Sequence, residues 1–150
     1  MSGNLVFFIV LALVAGAMVP TQGAVNNKLA GALDSPILAS FISFVIGTLS
    51  LLVFVIVSGT GFSGLASAKN ASAVAWTGGL LGAFFVTASV IAIPKLGVAL
   101  TFSLIVAGQM VVTLIIDHYG LLDVPMKEIN LPRIAGVLLI IVGVVLIRRF

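Results

Sequence analysis

The sequence predicts an all-helical membrane protein with five transmembrane helices per chain, and three observations carry that reading. Of 150 residues, 61% are hydrophobic and only 7% are charged, against roughly 45–50% apolar and 25% charged in soluble domains. Four acids and seven bases cannot cover the surface that a soluble chain of this length leaves in water, so lipid must be the solvent for most of it. Five apolar runs approach or exceed the roughly 20 residues needed to cross about 30 Å of hydrocarbon, where every backbone polar group must be satisfied within a helix. Residues 1–150 read as a single transmembrane domain, with no soluble domain, low-complexity linker or internal repeat.

The first run begins near Leu5 and, carried through Pro20 with a kink, reaches Leu33. Ala15-Gly16-Ala17 resembles a signal-peptide cleavage site, but no Lys or Arg precedes it, so the run is expected to persist as a mature helix. Asp34-Ser35-Pro36 supplies a capping side chain and a proline in the next first turn, which starts a second helix over residues 36–58. The stretch from Gly59 to Asn70, rich in Gly, Ser and Thr, is the first loop. A third helix is expected over residues 73–93, a tight turn at Pro94-Lys95-Leu96-Gly97, and a fourth helix over 98–116. Asp117 to Asn130 is a polar connection, and a fifth helix over 131–149 carries Pro132 in its first turn. The uncharged core of that helix is short, so Arg133 and Arg148 are expected to snorkel from its two ends.

Charge placement bears on topology. The net charge is +3, but the cations are scattered singly near segment ends, apart from Arg148-Arg149. That pattern reads as interfacial snorkelling, and nucleic acid is not an expected partner. With five spans, one side carries Lys69, Lys127 and Arg133, three cations, and the other Lys28, Lys95, Arg148 and Arg149, four cations. The positive-inside rule needs an imbalance to orient a chain. Near-balance opens the way to insertion in both orientations, and two opposed copies would form the inverted-topology pair that many transporters build within one chain.

Catalysis finds little foothold. The chain has one histidine and no cysteine, which removes disulfides, thiolate metal sites and cysteine nucleophiles. Asp117 and His118 are adjacent, about 100° apart on a helix, and read as a polar interfacial helix end rather than an acid–base pair. No catalytic residues, metal or cofactor are expected.

Amides inside the spans are more informative, because an unpaired amide in hydrocarbon is costly and tends to face a cavity or a neighbouring helix. Gln22 and Asn26 are four residues apart and share a face of the first helix, and Gln109 lies near the middle of the fourth. They admit two readings, hydrogen bonds between helices or a substrate-binding site. Ser40, Ser43, Thr87 and Ser103 are weaker candidates, since hydroxyls in membrane helices commonly bond back to their own backbone. Gly78 and Gly82, and Gly136 and Gly143, form small-residue ridges that permit close helix packing within or between subunits.

The order of motifs resembles the YdcZ family of five-helix bacterial inner-membrane proteins, of the drug/metabolite transporter superfamily. The resemblance rests on Gln22-x3-Asn26-x2-Leu29, Ser43-Phe44-x2-Gly47-Thr48-Leu49 and Trp76-x-Gly78-Gly79-x2-Gly82. Pro94-x-Leu96-Gly97, Gly108-Gln109, Asp117-His118-Tyr119-Gly120 and Arg133-x2-Gly136 with Gly143 extend it over nearly the whole chain. It implies a multi-pass protein of the bacterial inner membrane, an antiparallel homodimer or paired heterodimer forming a ten-helix inverted-repeat bundle, and an export role. The related four-helix small multidrug resistance proteins use a glutamate in their first helix for proton-coupled export of cations. Here Gln22 and Asn26 occupy the polar stretch and no acid precedes Asp34.

These readings converge on a transporter of a small polar metabolite with a mid-membrane polar pocket. Gln22, Asn26, Gln109 and Ser43 would supply hydrogen bonds, and Trp76 would stand at the pocket mouth, also as an interfacial anchor. A passive channel for a small ion or solute and a non-transporting membrane subunit are the alternatives.

Overall fold

The computed structural model describes residues 2–150, with side chains from Asn4 onward, and the chain is helical. Helix α1 spans Ser2–Leu33, α2 Pro36–Val57, α3 Gly78–Tyr119 and α4 Leu131–Arg149. Short 3-10 helices at Ser63–Asn70 and Ala73–Thr77 join α2 to α3, and another at Leu121–Asp123 lies between α3 and α4. By length and hydropathy, four helical stretches among the described residues could cross a membrane, the third being α3 together with the 3-10 turn before it.

Local chemistry explains most boundaries. Pro20 lies within α1 and cannot donate to the carbonyl four residues earlier, yet the helix continues through it. At the other end Asp34 takes a left-handed conformation with φ 49°, and Ser35 caps α2 by accepting from the Leu38 N–H at 3.2 Å. Pro36 follows in the first turn, where a missing N–H costs nothing. The turn is so short that α2 folds back directly against α1. At α4, Asn130 Oδ1 accepts from the Arg133 N–H at 3.0 Å, again with a proline in the first turn. Helix α4 covers Leu131–Arg149, where a helix was expected over about 131–149.

The expected third and fourth helices are corrected in detail. Residues 73–77 form a 3-10 turn rather than the start of the α-helix. The anticipated four-residue turn at 94–97 shrinks to one residue: the helix carries on through Pro94, Lys95 and Leu96, and only Gly97 leaves it, at φ 78° and ψ 164°. Proline tolerates helical φ, whereas that backbone conformation is one that only glycine adopts without strain. The second limb then runs to Tyr119, so Asp117 and His118 belong to its last turn and not to the connection. Gly120, left-handed at φ 58°, stops the helix.

The chain forms two compact units, one ending at Pro94 and the other covering Lys95–Phe150. In the first, Ala30, Ala39, Val86 and Val90 form a core flanked by Leu29, Leu33 and Phe85, drawn from α1, α2 and the first limb of α3. Small side chains let three helices approach closely. In the second, Phe102 and Val144 are buried. Most other apolar side chains point outward, as suits helices whose solvent is hydrocarbon.

The glycine ridges are only partly used within the chain. A Cβ built on Gly82 would touch the Phe44 ring at 3.5 Å, which puts α3 against α2. At Gly78, Gly136 and Gly143 it would meet nothing within 4 Å, so these ridges are open.

Candidate functional site

Among the described residues of the first unit, three polar side chains are buried: Asn26 on α1, Ser40 on α2 and Ser89 on α3. The serines are satisfied locally. Ser40 Oγ donates to the Pro36 carbonyl at 2.9 Å, and Ser89 Oγ lies 2.9 Å from the Phe85 carbonyl and 2.8 Å from that of Val86. Each is the back-bond that a hydroxyl can make to its own helix. The Asn26 amide makes no such bond. Asn26 is only 4% exposed, and its Nδ2 has no hydrogen-bond partner among the described residues.

Position along the helices sets depth. Counted from the Asp34–Ser35 turn, Asn26 is eight residues in, about 12 Å, and Gln22 twelve residues in, about 18 Å. They bracket the mid-depth of a roughly 30 Å hydrocarbon layer. Ser43, half-buried on α2, is eight residues from Ser35 and so lies near the level of Asn26. The faces differ, however. Gly23, Asn26 and Ala30 are buried at helical spacing, whereas Gln22 is exposed on the chain surface.

The other expected residues are placed separately. Gln109 is exposed on the second limb of α3, eleven residues, about 17 Å, after Val98 and thus near the middle of that limb. Trp76 lies in the 3-10 turn before α3 and is exposed. From Ser43 to the end of α2 at Val57 is about 21 Å of helix, so Trp76 is not brought to the amide level. Thr87 is half-buried, and Ser103 donates to the Ala99 carbonyl at 2.7 Å.

Sequence reasoning missed Ser89 and Thr101, both buried, because a hydroxyl among apolar neighbours carries no periodic signal. It also missed a cluster at the α3–α4 connection. Arg133, expected to stand alone, pairs with Asp117 and also donates through Nη1 to the Lys127 carbonyl at 2.8 Å. The Ile129 N–H donates to His118 Nδ1 at 3.2 Å, and the Lys127 N–H to the Asp117 carbonyl at 2.8 Å. These bonds strap the connection to both helix ends, a use that accounts for the Asp117-His118 pair without chemistry.

The helices therefore carry uncharged amides and hydroxyls along their apolar lengths, and the one ion pair among the described residues, Arg133 with Asp117, lies at helix ends. Comparison with known proteins agrees. The family model described as "Putative inner membrane exporter, YdcZ" matches residues 7–146. The chain is 38% identical over 71 residues to the "Inner membrane protein YdcZ" of Escherichia coli (strain K12). That stretch covers 47% of this chain and 47% of the relative, about half the length of each. No solved structure matches the chain. With a family match that runs from the first turns of α1 nearly to the end of α4, the chain belongs to the YdcZ family of inner membrane proteins.

Proposed function

We propose that the protein exports a small, uncharged polar metabolite across the inner membrane, working as an antiparallel dimer with five spans in each copy. The observation that carries this reading is the orphaned amide of Asn26. A buried donor without an acceptor costs about 1–3 kcal/mol, and such a group in a membrane span is by default a candidate for function. The core around it is built of alanines and valines, whose separation exposes little area. Parting of α1 from its neighbours would then offer the Asn26 N–H to a carbonyl or hydroxyl oxygen of the substrate. Gln22 and Ser43 present further donors and acceptors near the level of Asn26 along their helices, and Gln109 lies near the middle of its own limb.

Five spans are supported by length. At 1.5 Å per residue the 42 residues of α3 would measure about 63 Å, twice the hydrocarbon thickness. Its limbs, 78–96 and 98–119 on either side of Gly97, measure about 28 and 33 Å and suit one crossing each. The neutral character of the amides supports an uncharged substrate, since no acid precedes Asp34 and none lies within the limbs of α3 before Asp117.

The test is transport by protein reconstituted in liposomes, after a thermal-stability screen of purified protein against polar metabolites, because a ligand that binds only the native state raises apparent stability. Saturable uptake with counterflow, lost in Asn26→Leu and kept in part in Asn26→Gln, is the expected result. Flux that neither saturates nor shows counterflow would indicate a passive channel, and a stable complex with another protein without any ligand binding would indicate a non-transporting subunit.

A further inference from the structure

The connection between α2 and α3 is long, uncharged but for Lys69, and free of acids from Ser58 to Thr77. It has little support from other segments, with no buried residue. Its backbone bonds are local, from Leu65 N–H to Phe62 O, Ala71 N–H to Ala68 O and Ala75 N–H to Ser72 O, each 3.0 Å. None of its residues is buried. The contrast with the connection after α3 is sharp, since that one is strapped by Arg133 and His118.

Yet this segment carries large apolar side chains: Phe62 is 53% exposed, Leu65 66%, Val74 57% and Trp76 65%. In a 3-10 helix, residues three apart line up. Over Ser63–Asn70 that places Leu65 and Ala68 in one row, with Phe62 at the N-cap just before it, while Ser63, Ala66 and Lys69 form the next and Gly64, Ser67 and Asn70 the third. The helix is thus amphipathic, with an apolar row and a weakly polar remainder. Gly59 and Gly61, left-handed at φ 69° and 66°, end α2 and turn the chain out of its axis. Both ends of the segment run directly into helices apolar enough to span the membrane, so it is tethered at the bilayer surface.

We infer that residues 58–77 form a membrane-surface element whose partner is the lipid bilayer, with Phe62, Leu65, Val74 and Trp76 seated at headgroup level and Lys69 on lipid phosphates. The tether supplies the proximity, the apolar row supplies the burial, and the lone cation without any neighbouring acid supplies charge complementarity to an anionic surface. The element would hold the far ends of α2 and α3 at a defined depth without protein contacts of its own.

Trp76 is the only tryptophan, so the fluorescence of the full chain reports this segment alone. In nanodiscs, where both faces meet solvent, its emission should be blue-shifted, quenched most by phosphatidylcholine brominated near the headgroup, and little affected by iodide or acrylamide. With neutral acrylamide as the quencher, adding phosphatidylglycerol should lower the residual quenching of wild type by up to about five-fold, the effect of one lysine at an anionic surface, and Lys69→Gln should remove that gain. A Phe62→Ser, Leu65→Ser double variant, with helical content checked by circular dichroism, should open Trp76 to aqueous quenchers. Free access of aqueous quenchers in wild type would overturn the proposal by placing the segment in water. Protection from aqueous and brominated quenchers alike would overturn it by showing that protein covers the segment. An unchanged lipid response in Lys69→Gln would overturn the role of that residue.

Discussion

Arg133, in the first turn of α4, pairs with Asp117, in the last turn of α3, across a connection of eleven residues. The side chains are 27% and 24% exposed, so the pair lies at a helix end, partly screened by its own connection. A second nitrogen of the same guanidinium donates to the Lys127 carbonyl. Arginine suits both, because its planar fork holds separate nitrogens toward the two acceptors, whereas the three donors of lysine radiate from a single nitrogen.

Replacing Arg133 by Lys should therefore cost nearly as much stability as replacing it by Gln, although charge is kept. Each single change, and Asp117→Asn, is expected to cost about 1 kcal/mol, the upper part of the range for incompletely buried pairs. The double variant should cost less than the sum. Thermal unfolding in detergent measures all four, and strict additivity would mean that the pair contributes nothing as a pair.

The glycines separate a packed helix contact from open ridges. Gly82 backs onto Phe44, so Gly82→Leu should overpack that contact and destabilise the fold by about 1–3 kcal/mol. Gly78, Gly136 and Gly143 open onto empty space. Leucine there should leave the single chain folded and, where the ridge meets a second copy, reduce the dimer mass seen by light scattering. Unchanged dimer mass in all three would show that these ridges face lipid.

Dual insertion, motivated by the three-to-four balance of cations, predicts labelling from both sides of the membrane. The chain has no cysteine, so Ser63→Cys or Asp123→Cys provides a unique thiol. Both positions are exposed on connections. An impermeant reagent should label about half of each variant in intact cells and the rest after permeabilisation. Labelling of all copies from one side only would eliminate the antiparallel dimer.

Gln109 offers the cleanest separation of binding from stability. It is exposed at the middle of its limb, so Gln109→Leu should leave thermal stability within about 0.5 kcal/mol, as expected for a surface substitution. Ligand binding should fall sharply in the same variant. Gln109→Glu should make binding depend on pH, since a titratable group then stands where a neutral amide stood. Unaltered affinity in Gln109→Leu would remove the residue from the site.

By itself the sequence determined that the chain is a helical membrane protein, and it located most helix ends. Ser35, Pro36, Asn130 and Pro132 act within one turn of themselves, so their effect is readable without any neighbour. Gly97 was legible as a break, although its extent was not, because a proline three residues earlier can either end a helix or ride inside one. Tertiary structure alone decided which side of each helix is inside. In water, a polar face and an apolar face announce the core, but in lipid both the core and the surroundings are apolar, so periodicity carries almost no such signal. Hence the sequence could set Gln22 and Asn26 on one face, yet only the packing of α1 against its neighbours left Asn26 buried, its Nδ2 without a partner among the described residues, and Gln22 exposed. The pairing of Asp117 with Arg133 was equally invisible, since sixteen residues separate them and only the fold of the connection brings the two helix ends together.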